Sequence, residues 1–239
     1  MDNSIYVALT SQIATSNNVD ITANNMANAN SSGFKLDMLM MSEYNSPDVM
    51  ENLTMPDDIT TISNFETGSF KQTGRAFDVA INGEGFFMVQ TPLGVRYTRK
   101  GSFIVNGENV LVNEKGEAIL SQDGDPIIFE DGDSDIHIND KGIIFSREEE
   151  RGTLGVVNFA NLRLLRKTGN GNFNSDVPPV IAENYSILQG MLEESNTKPI
   201  LEVTKLIDLQ RRFSINSGII SDTYSMHRNA YRSITKQGA

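Results

Sequence analysis

The chain has few residues that could carry out chemistry. It contains no cysteine, which excludes disulfides, thiolate metal sites and cysteine nucleophiles. It has only two histidines, His137 in an acidic stretch and His227 in a helical pattern. At such positions an exposed or packed histidine is the ordinary structural role. The sequence therefore predicts no catalytic residue, no metal ligand and no cofactor.

One acidic run imitates the opening of a calcium-binding loop. Asp131, Asp133 and Asp135 alternate as the first ligands of such a loop do. The next position is Ile136, where the loop needs a glycine, and the twelfth is Gly142, where it needs a bidentate glutamate. A calcium site is not expected here.

Nucleotide binding and hydrolysis receive no better support. Gly83 and Gly85 begin a G-x-G pattern, but Met88 stands where the third glycine belongs. The chain has no nucleophile elbow, Walker loop or H-E-x-x-H motif. Paired carboxylates such as Asp123 and Asp125 leave glycan hydrolysis only as a minor alternative. We expect a protein that is not an enzyme.

Charge is distributed unevenly along the chain, whose net charge is −11. Residues 106–150 hold thirteen acidic residues against three basic ones, whereas residues 198–239 hold seven basic residues against three acidic ones. An acidic middle argues against nucleic acid, which needs a basic docking face. The acidic middle is compatible with an alternative function, that of a secreted β-domain that binds a basic or carbohydrate partner through its acidic face.

No segment is predicted to enter a membrane. No apolar stretch approaches the roughly 20 residues that span a bilayer. The start of the chain has Asp2 where a secretory signal carries positive charge, and it lacks an unbroken apolar region. We therefore expect a protein that is not membrane-embedded and that is exported without a cleaved signal peptide.

The first segment has a helical pattern with a narrow apolar seam. Apolar or small residues recur every three or four positions, if Gln12 and Ser16 are counted as the seam positions between Leu9 and Val19. These residues are Ile5, Leu9, Val19, Ala23 and Met26. The pattern then runs into asparagines, which compete with helical hydrogen bonds, and into a Ser-Ser-Gly sequence. The helix is predicted to stop between Asn28 and Ser32.

The last segment predicts a second, longer helix. Polar residues at 195–198 precede Pro199, whose fixed φ suits a first helical turn. A seam of alternating three- and four-residue spacings follows and includes Leu206, Leu209, Phe213 and Ile220. Asn216 and other polar residues interrupt this seam. Polar seam positions suit a bundle with several neighbours better than a simple pair.

Between the helices the pattern is that of short strands separated by turns. Residues 68–192 predict an all-β domain, in which Asn82–Gly85 closes a hairpin between Asp78–Ile81 and Phe86–Gln90. Residues 169–179 are predicted to form a long loop. The expected fold class is α+β, with terminal helices in a coiled-coil-like bundle and a mainly antiparallel central domain. The predicted regions are residues 1–43, an extended connector at 44–67, residues 68–192, and residues 193–239.

Three motifs together resemble those of the flagellar basal-body rod and hook proteins. They are the Asn-rich segment 23–35 ending in Gly33-Phe34-Lys35, the central segment 73–87 continued by 97–103, and the C-terminal segment 194–213. Their order along the chain also matches. Within the family, the first six residues and Ser195–Pro199 are more similar to proximal-rod than to distal-rod members.

The resemblance implies a structural subunit of a hollow helical drive shaft that transmits torque. It implies unprocessed export through the flagellar type III apparatus and assembly in the periplasm. The implied partners are copies of the chain and other proximal and distal rod proteins, with surrounding ring proteins as a further possibility. The assembly interface is then expected along the two seams. A distal-rod subunit and the acidic binding module described above are the alternatives.

Overall fold

A computed structural model describes residues 3–44 and 55–237 of the chain. The chain divides into two compact units. The first contains Met1–Ala27, Asp37–Asn64 and Lys198–Ala239, and the second contains Asn28–Leu36 and Phe65–Thr197. The predicted α+β class, with a helix at each end and an antiparallel β-rich middle, is confirmed.

The first unit contains two helices and a hairpin: α1 at Asn3–Ala27, β1 at Asp37–Tyr44, β2 at Met55–Ser63 and α2 at Pro199–Gln237. Pro199 opens α2 as its sequence predicts, and the carbonyl of Lys198 accepts hydrogen bonds from Leu201 N and Glu202 N. α1 ends at Ala27, within the asparagine-rich segment and one residue before the predicted stop between Asn28 and Ser32.

Residues 45–54 of the predicted extended connector at 44–67 lie outside the described residues, and its described part contains a paired strand, β2. β1 and β2 pair antiparallel from Asp37 with Ser63 to Tyr44 with Met55, with an irregularity after Ser42. This hairpin was missed because Pro56 and several polar residues hide the two-residue period of a strand. Pro56 is tolerated because each strand of a two-stranded sheet has a free edge.

The second unit is built from sixteen short strands. They are β3 Phe70–Gln72, β4 Val79–Gly83, β5 Phe86–Thr91, β6 Gly94–Thr98, β7 Phe103–Val105, β8 Leu111–Asn113, β9 Ala118–Ile119, β10 Ile136–Ile138, β11 Ile143–Ser146, β12 Glu149–Thr153, β13 Val156–Asn158, β14 Arg166–Gly169, β15 Asn172–Asn174, β16 Val180–Ile181, β17 Tyr185–Gln189 and β18 Met191–Glu193. A 3₁₀ turn occupies Leu162–Leu164. All strand pairs are antiparallel.

The largest sheet of this unit has nine strands, in the path β14-β15-β6-β5-β9-β8-β7, with β13 pairing with β5 and β16 pairing with β13. Smaller sheets pair β17 with β4, β18 with β3, and β10 with β11 and β12. Two apolar clusters fill the interior. One is centred on Phe87, Ile119 and Ile144, and the other on Phe86 and Phe173.

Two predictions in this region, a hairpin at 78–90 and a long loop at 169–179, were wrong. β4 and β5 do not form a hairpin, because β4 pairs with β17 while β5 pairs with β6, β9 and β13. The glycines between β4 and β5 allow neighbouring chain segments to approach the backbone closely. A Cβ on Gly83 would lie 2.5 Å from the carbonyl oxygen of Asn184, and one on Gly85 would lie 2.7 Å from a Val156 methyl. The predicted loop at 169–179 contains β15, which pairs with β14.

A cluster of charges links β12 to the segment that precedes β10. Arg151 binds Asp133 at 2.9 Å, Glu149 at 2.9 Å and Glu130 at 3.0 Å. The backbone N–H of Glu130 and the guanidinium of Arg151 lower the pKa of Asp133 to about 2. Asp133 is thus engaged in ion pairing, and Asp131 accepts a hydrogen bond from Asn109.

No helix in the described part of the chain is both long and apolar enough to cross a membrane.

Candidate functional site

The two terminal helices touch through polar side chains inside the first unit. Gln12 Nε2 donates to Ser217 Oγ at 3.3 Å, and Asn216 Nδ2 donates to Ser11 Oγ at 3.1 Å. Gln12 and Asn216 are two of the polar residues that interrupt the predicted seams. The contact between α1 and α2 is therefore partly hydrogen-bonded, which gives less stabilisation than a fully apolar seam would.

Predicted interface residues on α2 face inward to different degrees. Leu209 is buried, whereas Leu206 and Ile220 are half-buried. Phe213 keeps 38% of its surface exposed.

On α1 the predicted seam is not the buried face. Leu9 is 48% exposed and Met26 is 37% exposed, while Val19 and Ala23 are half-buried. Ile5 lies in α1, but its side chain is outside the described part of the structure. The structure thus leaves apolar surface of this seam uncovered.

The face that α1 buries is mostly polar. Thr15, Thr22 and Asn25 are buried beside Ala14, and Thr22 and Asn25 are fully inaccessible. A soluble helix normally buries its apolar stripe and exposes its polar one. α1 does the reverse, since Leu9 and other apolar residues face outward. Such an arrangement is typical of a helix that meets further neighbours.

α2 carries a second apolar face that the sequence analysis missed. Ile215, Ile219 and Met226 are spaced by four and seven residues, so they lie on one side of the helix. They are 63%, 51% and 63% exposed. In the sequence this face shows only one four-residue and one seven-residue spacing. The seam that contains Leu206, Leu209, Phe213 and Ile220 is longer and was therefore the one predicted.

The chain segments that lead into the two helices meet at a buried ion cluster in the second unit. Lys35 Nζ lies 2.6 Å from Glu193 Oε1, and Arg99 Nη1 lies 3.5 Å from Glu193 Oε2. All three side chains are almost completely buried. Lys35 comes soon after α1 and Glu193 shortly before α2. The cluster therefore joins the segment that follows α1 to the segment that precedes α2 inside the second unit, which we call the β-domain.

Backbone groups complete the partners of this cluster. Lys35 Nζ also donates to the Glu66 carbonyl at 2.8 Å, and Gly68 N donates to Glu193 Oε1 at 3.0 Å. Arg99 Nη2 donates to the Gly83 carbonyl at 2.9 Å. Burial lowers the pKa of both Lys35 and Arg99, and the carboxylate of Glu193 opposes that effect. The carboxylate is thus the group that makes two buried cations tolerable.

Gly33 is required for the same junction. Its φ is +64°, and its N–H donates to the Glu193 carbonyl at 2.7 Å. A Cβ at this position would lie 2.5 Å from the carbonyl carbon of Arg99. Next to it, the ring of Phe34 lies under Lys167, whose Nζ is 4.0 Å from the ring centroid.

Two asparagine side chains take the place of backbone partners. Asn25 Nδ2 donates to the Asp37 carbonyl at 2.8 Å, and Asp37 N donates to Asn25 Oδ1 at 2.9 Å, as a neighbouring strand would. In the second unit, Leu36 N donates to Asn196 Oδ1 at 2.7 Å. Asn25, Arg99 and Asn196, which belong to the motifs quoted for the family resemblance, therefore hold the structure together locally. Their sequence pattern alone gave them no role.

Three family profiles match the chain. "Flagella basal body rod protein" matches residues 5–35, "Flagellar hook protein FlgE/F/G D1 domain" matches residues 80–146, and "Flagellar basal body rod FlgEFG protein C-terminal" matches residues 188–232. The first ends on Lys35, the second contains Arg99 and the third contains Glu193. Each profile thus contributes one member of the buried ion cluster.

Whole-chain similarity gives the same result. The chain is 34% identical to the flagellar basal-body rod protein FlgF of Caulobacter vibrioides, with 99% of both chains covered. It is 30% identical to FlgF of Mesorhizobium japonicum, with 98% of both covered. It is 26% identical to the rod protein FlgG of Bacillus subtilis, over 92% of this chain and 95% of that one.

Proposed function

Since the chain belongs to the flagellar basal-body rod protein family and is a structural subunit of the rod, we propose that it polymerises through α1 and α2. The observation that carries this proposal is the uncovered apolar surface of the two helices. Leu9 on α1 and Ile215, Ile219 and Met226 on α2 are about half to two-thirds exposed. Burying a large aliphatic side chain contributes about 1.5–3 kcal/mol. Contacts between helices of neighbouring subunits supply that burial.

We place the chain in the proximal rod. The two relatives named FlgF reach 34% and 30% identity, against 26% for FlgG of Bacillus subtilis. Pro199 and the first residues of the chain favour the same assignment. The distal rod is the second candidate, because FlgG relatives also align over nearly the whole chain.

The partners in this proposal are copies of the chain, other rod proteins and the surrounding rings. The chain reaches the periplasm through the flagellar export apparatus without cleavage and acts there as part of a shaft that transmits torque. It has no catalytic role. The polar contact between α1 and α2 supports this route, because a weakly held helix pair can be unfolded for export and then repacked against neighbours.

A double substitution on the second apolar face tests the proposal. Ile215→Asp with Ile219→Asp should lower the amount of chain in purified basal bodies by about a hundredfold or more. The reason is that two large aliphatic burials, worth about 3–6 kcal/mol together, are lost and two charges are desolvated. Basal bodies from cells that express each variant are purified, and the chain is quantified by mass spectrometry.

The matched control is Ile215→Leu with Ile219→Leu, which keeps the apolar area and should incorporate like the wild type. Thermal unfolding of both isolated variants should stay close to wild type, because the two residues are exposed in the subunit. Wild-type incorporation of the aspartate variant would rule out this face as an assembly contact.

A further inference from the structure

We propose that two parts of the β-domain join successive copies of the chain. In this contact a carboxylate-bearing hairpin tip of one copy enters a lysine-lined pocket of the next. The inference rests on the proposed function, because it assigns a second contact to the same assembling subunit. It concerns the second unit and does not involve α1 or α2.

The pocket lies where three turns of the nine-stranded sheet meet. Its walls include Lys100 and Ser102 after β6, Lys115 after β8, and Asn172 at the start of β15. Two amines thus line one small concave site, with a single carboxylate, Glu114, beside them. The balance of charge favours an anionic group.

The walls are fixed in position before any ligand arrives. Thr98 Oγ1 donates to the Gly171 carbonyl at 3.0 Å and accepts from Lys100 N at 3.2 Å. The Lys100 side chain lies across Gly171, since a Cβ there would be 2.6 Å from Lys100 Cε. Asn172 is buried, and its amide donates to Glu117 at 3.2 Å.

Three polar side chains of this pocket, Lys100, Ser102 and Lys115, have no side-chain partner among the described residues. Ser102 is only 8% exposed, and its hydroxyl makes no hydrogen bond with any described residue. The amines of Lys100 and Lys115 form no ion pair within residues 3–44 and 55–237. A carboxylate bound between them would accept from both amines and from the hydroxyl.

The complementary group lies on the turn between β11 and β12. Ser146 pairs with Glu149, and Arg147 takes a φ of +58°, so Glu148 lies at the tip of a tight hairpin. Glu149 binds Arg151, but Glu148 and Glu150 are exposed and have no ion-pair partner among the described residues. The hairpin therefore presents two carboxylates without ion-pair partners among the described residues, Glu148 at its tip and Glu150 in β12.

The occupant we assign is a second copy of this chain. The tip and the pocket belong to different sheets of one domain, and within one chain they form no ion pair with each other. A contact between two different surfaces of identical subunits is heterologous, so each copy keeps one free tip and one free pocket. Repetition of such a contact produces a ring or a helix, which is the geometry that a rod subunit needs.

Crosslinking of the full-length chain in assembled basal bodies tests this contact, since the chain has no native cysteine. Lys115→Cys combined with Glu150→Cys leaves Lys100 and Glu148 in place. A short bismaleimide should yield covalent dimers and longer products from this pair, and none from either single variant. Lys115→Cys combined with Glu108→Cys, on a different turn, should give no products.

Charge reversal provides the second arm of the test. Lys100→Glu with Lys115→Glu should reduce the chain in basal bodies by about tenfold or more, because like charges then face each other. Adding Glu148→Lys and Glu150→Lys should restore it.

Three results would overturn the inference. They are an absence of crosslinks in basal bodies that contain the double-cysteine chain, crosslinks only to a different protein, and a failure of the fourfold variant to recover. If the wild-type chain itself is missing from basal bodies, the proposed function fails instead. That case is distinguished by quantifying the wild type in the same preparations.

Discussion

Deleting residues 198–239 should remove the chain from basal bodies altogether while its β-domain stays folded. The cut falls where the second unit ends, at Thr197. It removes α2 with both of its apolar faces, and it also removes the partners of Gln12 and Ser11 on α1. The ion cluster of Lys35, Arg99 and Glu193 is retained, so the β-domain keeps its buried ion pairs.

The measurement is the amount of truncated chain in purified basal bodies and in the periplasm of the same cells, with circular dichroism of the isolated protein. The periplasmic pool separates failed assembly from failed export. A truncated chain that enters basal bodies at wild-type level would contradict assembly through α2. The deletion also distinguishes the alternative of a secreted binding module, because such a module would keep its activity without the helix.

Replacing Glu193 with alanine should cost about 3–5 kcal/mol of unfolding free energy, because it leaves buried cations without their counter-charge. Lys35 and Arg99 would then be desolvated without a carboxylate, and Gly68 N would lose its acceptor. Urea-induced unfolding of the isolated chain, followed by far-ultraviolet circular dichroism, measures the loss.

Glu194→Ala is the matched control for this experiment. Glu194 is the adjacent glutamate, but it is exposed and its side chain accepts from Ser69 at the surface. Its removal should change the unfolding free energy by less than about 1 kcal/mol. A Glu193→Ala variant as stable as the Glu194→Ala variant would show that the ion cluster does not stabilise the fold.

Local signals were enough to predict where α2 begins and, to within a residue, where α1 ends. Pro199 starts α2, and the asparagines after Ala27 end α1, because helix termini depend on capping groups within a few residues. The buried face of α1 could not be predicted from such local signals. The apolar period of α1 identifies Leu9 and Met26, but that surface is left open while the threonines and Asn25 are buried.

Pairing between strands that are far apart in the sequence could not be predicted from the sequence. Asn82–Gly85 looks like a hairpin turn, yet β4 pairs with β17, about a hundred residues away in sequence. The ion cluster likewise joins Lys35 to Glu193 across the chain. Nothing in the local pattern marks these partners, since their pairing depends on tertiary packing and not on propensity. Family resemblance identified the motifs but not their roles.

Accessibility of single cysteines on the helices tests assembly through α1 and α2 most directly. Leu9→Cys and Ile219→Cys place a thiol on each exposed apolar face of a chain with no other cysteine, and Glu108→Cys marks an exposed turn of the β-domain. In the isolated subunit all three should react with a maleimide at similar rates. In assembled basal bodies the two helix positions should be protected and Glu108→Cys should react more readily. Helix thiols that react as fast in the rod as in the free subunit would contradict this account.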